Sequence, residues 1–383
     1  MNLKRVLLLL VLITFYNAKS QNIDSLMTVA RTTKNDSAAI KILNSVAYYS
    51  IFNDTKKAYS TLQEAKRRAI KAKLNYNYIE LTNTEGVYYD VTGKRDSAMY
   101  FFSKALSLSR KEGFIELETR TTNNLGMLNW NMGDFNEALK YFFKALKLNE
   151  KLPEKTRVPE STMLGNIGLI YQEMGQHDKA LEFHKKAFDY RKADNRILEL
   201  PGCINNIAIC YGRLGKTATA IEKYKEGIEL AKQYKNYAEY YKLLENYSGI
   251  LIEQKQFKVA ISYLLEALNR PAEIPFPEKS KLSIYSELAN AYNNLGQSAT
   301  ALKYAKLGLP LAEGNPDLKN YSGDLYLGLS HAYYMLGDED RGQEYIIKFA
   351  GVTKDRFSSE NASEMADLEV KFETEKKERL LAQ

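Results

Sequence analysis

Two cysteines, three histidines, one tryptophan and eight prolines in 383 residues exclude several kinds of protein before any pattern is sought. Two thiols cannot build a disulfide framework. Cys203 and Cys210 stand seven residues apart, which on one helix is about 10.5 Å along the axis. Bridgeable Cα atoms lie within roughly 7 Å, so the pair reads as buried free thiols. Gly-rich phosphate loops, paired Cys ligands and a nucleophile elbow are all missing. The carboxylates form no pair that a helix would bring together in a cleft. The expectation is therefore no enzyme, no cofactor and no metal. Nor is there a basic stripe with interleaved aromatics, so nucleic acid is not an expected partner. After Tyr16 no run of 18 apolar residues occurs, and nothing downstream reads as a bilayer span. What is present, 45% apolar and 26% charged residues, excludes wholesale disorder.

The start of the chain reads as an address label. Lys4 and Arg5 precede the apolar run Val6–Tyr16, and Ala18-Lys19-Ser20 offers small residues at the two positions a signal peptidase reads. The run is about half the ~20 residues a membrane-spanning helix needs. Residues 1–20 are expected to be cleaved near Ser20/Gln21, giving an exported, periplasmic or secreted protein. The formal charge of +7 then falls to +4, because Lys4, Arg5 and Lys19 leave without any acid.

The rest of the chain repeats itself. Gly86…Gly93…Ala98…Phe102…Ala105 returns with identical offsets as Gly126…Gly133…Ala138…Phe142…Ala145 and as Gly168…Gly175…Ala180…His184…Ala187. Further copies begin at Ala208, Ala289 and Ser330, and weaker ones surround Tyr49…Ala58 and Leu251…Ala260. The small residues suit close helix crossings, and the glycine between them suits a left-handed helix stop. Asn53 and Lys255 stand where the weaker copies lack that glycine, and Asn tolerates the conformation better than Lys. Tyr49, Tyr89, Tyr171, Tyr211, Tyr292 and Tyr333 fall in an inter-helix slot and are expected in the core. His184 takes a buried aromatic slot and His177 the turn before it, which speaks against a two-His metal site. All eight prolines are expected between repeats or at helix starts.

These offsets are those of the tetratricopeptide repeat (TPR), and the resemblance spans roughly residues 40–350. The second-helix small residues recur every 40–42 positions, against the usual 34. This long-helix form resembles the repeats of kinesin light chain, the spindle-orientation adaptors and the bacterial Rap regulators. The resemblance implies an all-α fold, a right-handed TPR superhelix or α-solenoid of about eight helix-turn-helix repeats over 40–352, behind a lead-in helix within 21–39. It also implies a concave wall, lined by the first helices, that binds an extended peptide or a partner protein.

Two residues before each small opening position stand Asn44, Thr84, Asn124, Asn166, Asn206 and Asn246, and the register then fails at Glu287 and Gly328. In the peptide-binding families this position carries an asparagine ladder. A carboxamide has one acceptor and two donors, so a row of them can pair with the backbone of an extended chain without reading its sequence. Hydrogen bonding between adjacent helices is the other reading of the same row. Arg120, Asn123, Gln172, Asn205 and Arg213 complete the expected wall. Trp130 joins them either as an interface anchor or as the displaced packing aromatic of a repeat whose slot holds Asn129. Tyr240, Tyr241, Tyr263 and Tyr285 suit a carbohydrate-stacking surface or ordinary helix packing, which leaves a glycan- or nutrient-binding accessory protein as the alternative function.

Residues 353–383 change character. Met365, Leu368 and Phe372 give two turns of apolar stripe and then nearly pure charge, too short for a stable coiled coil. The segment resembles the juxtamembrane helix after periplasmic TPR arrays in Bacteroidetes-type sensor histidine kinases and helix-turn-helix regulators. That resemblance implies the sensory part of a signalling system, with a possible membrane-bound signalling partner.

Overall fold

The computed structural model describes residues 21–354. The expected leader and the charged tail beyond 354 lie outside the described residues. A first helix, α1 (Gln21–Thr32), precedes a run of antiparallel helix pairs. These are α2 (Asp36–Ser50) with α3 (Thr55–Lys71), α4 (Asn75–Val91) with α5 (Arg95–Glu112), α6 (Ile115–Asn131) with α7 (Phe135–Asn149), and α8 (Glu160–Glu173) with α9 (His177–Ala193). There follow α10 (Leu200–Arg213) with α11 (Thr217–Gln233), α12 (Tyr237–Glu253) with α13 (Phe257–Leu268), and α14 (Glu278–Asn294) with α15 (Ser298–Gly314). The last pair is α16 (Gly323–Met335) with α17, residues 339–354. Among the described residues there is no strand and no helix long and apolar enough to cross a membrane. The chain divides into two compact units, one running to Tyr190 and one from Arg191. In the first unit α2 touches α4 and α4 touches α6, and in the second α10 touches α12, α12 touches α14 and α14 touches α16, so these first helices share one face.

Local chemistry sets the helix ends. Asn35, Asp54, Asp134 and Asn236 each accept a hydrogen bond from the backbone N–H three residues on, which satisfies a donor that the first turn cannot. The stops inside the pairs are the turn glycines, with φ between 69° and 83° at Gly93, Gly133, Gly175, Gly215, Gly296 and Gly337. The two copies without glycine behave opposite to expectation. Lys255 takes the left-handed conformation at φ 58°, whereas Asn53 does not. There the chain turns with Asn53 and Asp54 both donating to the Ser50 carbonyl, so no left-handed residue is required.

Size complementarity holds each pair shut. The small residue on the first helix meets the residue sixteen positions later on the second. A Cβ added to Gly86 would lie 2.5 Å from the Phe102 ring, one on Gly168 would lie 2.7 Å from the His184 ring, and one on Gly126 would lie 3.0 Å from Phe142. Where the partner is Tyr224, Leu264 or Ala305, the opening residue is Ala208, Ser248 or Ala289, and all of these are buried. Ala58, Ala98, Ala138, Ala180, Ala220, Ala260 and Ala301 are buried at the second crossing. Both cysteines are buried and outside any disulfide. Burial pushes the Cys210 thiol up to about 11.

Two expectations need correction, and one open choice is decided. Of the slot tyrosines only Tyr333 is fully buried, Tyr49 is half exposed, and the other four are half-buried. Four of the six stack on a ring twelve positions later: Tyr89 on Phe101, Tyr171 on Phe183, Tyr292 on Tyr304 and Tyr333 on Tyr345, with ring centres 5.2–5.8 Å apart. The true core position is sixteen residues after the small one; twelve residues after Tyr49 stands Thr61 rather than a ring, and the Tyr49 ring meets Tyr48 edge-on at 6.0 Å. Of the two readings of Tyr240, Tyr241, Tyr263 and Tyr285, helix packing holds: Tyr240 and Tyr241 are core residues, Tyr263 is half-buried against their cluster and Tyr285 against the one that follows. Finally, Pro310 lies inside α15 rather than between helices. It removes the donor for the Lys306 carbonyl, but Lys306 and Pro310 are both exposed, so water can take that carbonyl.

Candidate functional site

On the first-helix face of the first unit, α2, α4 and α6 bring Asn44, Thr84 and Asn124 into one row. All three line a cavity of about 280 Å³, together with Tyr48, Tyr49, Glu80, Asn83 and Arg120. The 40-residue repeat places equivalent positions side by side, so three residues far apart in sequence share one groove. The Asn44 Oδ1 atom is enclosed and has no hydrogen-bond partner among the described residues. Asn124 donates from Nδ2 to Asn83 Oδ1 at 3.1 Å, and Thr84 donates to the Glu80 carbonyl at 3.2 Å.

The charges in the groove come from one turn earlier on the same helices. Arg120 pairs with Glu116 at 2.8 Å along its own helix and with Glu80 at 3.6 Å on the preceding repeat. Glu80 Oε2 is enclosed and unpartnered. Burial pushes the Glu80 carboxyl up, while Arg120 and Lys41 pull it down. Tyr76 donates to Glu116 at 3.2 Å, and burial, aided by Glu116 and Glu80, pushes its hydroxyl up to about 12. The groove is thus a mixed polar surface, amide and hydroxyl groups along its length and one ion pair across it, with the Tyr48 and Tyr49 rings exposed at its edge.

The remaining expected residues are distributed more widely. Asn166 donates to Met127 Sδ at 3.3 Å, and in the second unit Asn246 donates to Asn205 Oδ1 at 3.0 Å. Asn124, Asn166 and Asn246 therefore each commit a donor to the first helix of the preceding repeat. One donor of two is used, so inter-helix bonding and ligand contact are compatible roles. Asn123 and Asn206 are half-buried and Asn205 is buried. Trp130 donates from Nε1 to Glu173 Oε2 at 2.8 Å and packs partly buried beside Phe142 and Ile170. Gln172 is half-buried, and Arg213 is exposed on α10. None of these lines the groove of α2, α4 and α6. Glu80 and Asn83, by contrast, were not singled out by sequence. The signal was available: Glu80 and Arg120 each stand four residues before a row position, one helical turn away.

A tetratricopeptide-repeat profile matches residues 118–193. Residues 118–193 are tetratricopeptide repeats, and the array around them has the TPR fold. The photosystem I assembly protein Ycf3 of Rippkaea orientalis (strain PCC 8801 / RF-1) is 33% identical over 110 residues, which are 29% of this chain and 56% of that one. The chain thus spans about half the length of the curated relatives it matches. Among solved TPR structures, the apo form of RapI superposes with a TM-score of 0.60 at 13% identity, covering 83% of this chain and 98% of that one. NprR in complex with its cognate peptide NprX gives a TM-score of 0.53 at 16% identity, covering 88% and 98%. At such identities the likeness is one of fold. In this TPR array no group of His, Cys, Asp and Glu among the described residues is arranged to hold a metal.

Proposed function

We propose that this TPR array is a scaffold that binds an extended peptide or a segment of a partner protein along its first-helix faces, beginning with the groove of α2, α4 and α6. The observation that carries the reading is the convergence of Asn44, Thr84, Asn124 and Arg120 on one open cavity. Spaced amides and hydroxyls offer donors and acceptors to a peptide backbone, and the Arg120–Glu80 pair can exchange its internal contact for one to a charged side chain. NprR, of like fold, is seen with its cognate peptide, which favours the same mode of use. Export is part of the proposal, as is a sensory role in a signalling system with a membrane-bound partner; both rest on the leader and tail of the sequence.

The test is capture of partners by the full chain from a cell-envelope fraction, with mass-spectrometric identification, repeated with Asn44→Ala/Asn124→Ala. The variant should lose at least about tenfold in affinity for a captured peptide or protein, as expected when two bonds to a ligand backbone go, while its melting remains cooperative. Undiminished capture by a folded variant removes the groove from the mechanism. Capture of a glycan that survives the variant would favour the alternative. N-terminal sequencing of the chain from the same fraction tests export, since cleavage after Ser20 is expected and an intact Met1 contradicts it.

A further inference from the structure

In the second unit the row position of α14 is Glu287 rather than Asn. It lines a cavity of about 390 Å³ bounded by Lys279 and Ser283 of α14, by Tyr321, by Asp324 at the start of α16 and by Phe349 of α17. Glu287 Oε1 accepts from the Ser283 hydroxyl at 3.3 Å. Its Oε2 is enclosed and has no partner among the described residues. The lysine at the cavity edge is engaged elsewhere, Lys279 Nζ lying 3.8 Å over the Tyr321 ring.

Three other enclosed glutamates each face a cation. Glu85, buried, is paired with the half-buried Lys66. Glu80 faces Arg120. Glu245, on α12, is held by Arg270, which reaches in from the α13–α14 connection and stacks 3.8 Å over Phe276. Glu287 has Glu245 and Asp324 as its charged neighbours and no ion pair among the described residues. A buried carboxylate without a counter-ion is normally neutralised or removed. Here burial first, then the two acids, push its carboxyl up to about 8. A partner is missing in charge, and the cavity supplies the space for it.

We propose that this cavity binds an organic cation, an ammonium or guanidinium group, with Glu287 and Asp324 as its two anionic contacts. The entering cation replaces the proton on Glu287 and offers N–H donors to the unpartnered Oε2. A free polyamine-like molecule and a Lys or Arg side chain of a polypeptide present the same chemistry. The site is separate from the groove of the first unit, so its failure would leave that reading untouched, and the reverse holds as well.

Calorimetric titration of the full chain at pH 7 with agmatine, and separately with the capped peptide acetyl-Gly-Gly-Arg-Gly-Gly-amide, tests the assignment. Running it in buffers of different ionisation enthalpy counts protons. Binding should release close to one proton per cation, and Glu287→Gln should abolish the release and weaken binding at least about tenfold, as expected for loss of a charge-assisted bond. Tighter binding of agmatine assigns the site to a free amine, and tighter binding of the peptide assigns it to a polypeptide side chain. The proposal is overturned by absence of binding at millimolar concentration, by binding without proton release in the wild-type chain, or by equal binding to a Glu287→Gln variant that melts like the parent.

Discussion

The pairing of a small residue with a ring sixteen positions later can be tested by filling the gap. Alanine in place of a helical glycine gains about 1 kcal/mol in helix propensity. Overpacking of a closed core costs about 1–3 kcal/mol. Which wins depends on distance. At Gly86 the new Cβ would stand 2.5 Å from two carbons of Phe102, a ring that is itself buried, so the cost lies at the upper end and the net loss for Gly86→Ala is about 2 kcal/mol. At Gly126 the nearest ring atoms are at 3.0–3.1 Å, a few tenths of an ångström of adjustment suffices, and the two effects nearly cancel. Gly249, in α12, meets nothing within 4 Å, so Gly249→Ala should stabilise by about 0.5–1 kcal/mol. Urea unfolding of the full chain followed by helical circular dichroism orders the three. Adding Phe102→Leu to Gly86→Ala should recover part of the loss, and the pair should be clearly non-additive. If Gly86→Ala proved as stable as Gly249→Ala, or if Phe102→Leu brought no relief, close approach would not be what selects glycine here.

Other consequences are open to similar measurement. Lys255→Gly should raise stability by about 0.5–1 kcal/mol, because a lysine now holds a left-handed conformation that glycine adopts freely; a loss on denaturation would contradict this. Arg270→Met should destabilise by about 3–5 kcal/mol by leaving Glu245 buried and unpaired, and most of the loss should return in Arg270→Met/Glu245→Gln, read by thermal melting. Glu287 has its folded carboxyl raised from 4.5 to about 8, so the folded state holds a proton that the unfolded chain releases. Its contribution to stability is fullest below the ordinary glutamate range, declines as pH rises toward 8 and is level beyond. The Glu287→Gln variant should therefore gain on the parent between pH 5 and pH 8, and parallel stability curves would contradict the assignment.

Much of this architecture was legible because it depends on offsets rather than on particular contacts. The turn glycine and the buried alanines repeat at fixed spacing, and each does one job that few other residues can do. The row of Asn44, Thr84 and Asn124 was legible for the same reason, since equal register places residues on one face. The slot tyrosines were misread because register fixes direction but not depth. Tyr89 points into the pair yet stops at its rim, since Phe102 already fills the centre. Pro310 was misread because exposure of its helix face, which spares Lys306 a dry unsatisfied carbonyl, is a tertiary fact. Glu287 appeared in sequence only as a break in the row. Its missing counter-ion depends on Arg270 reaching Glu245 and on Lys279 turning to Tyr321, and neither is written in local pattern.

The side-chain bond from Trp130 to Glu173 links residues 43 apart in sequence, and those from Asn124 to Asn83 and from Asn246 to Asn205 link residues 41 apart. Each reaches one repeat and no further. A chain tied in this way behaves as a row of nearest neighbours, so a repeat can open while one two places away stays closed. A ligand lying across Asn44, Thr84 and Asn124 would touch three repeats at once and supply a link longer than any of these ties. Occupancy of the groove would then register as slower hydrogen exchange at the amino-terminal end of the array, without any change in its shape.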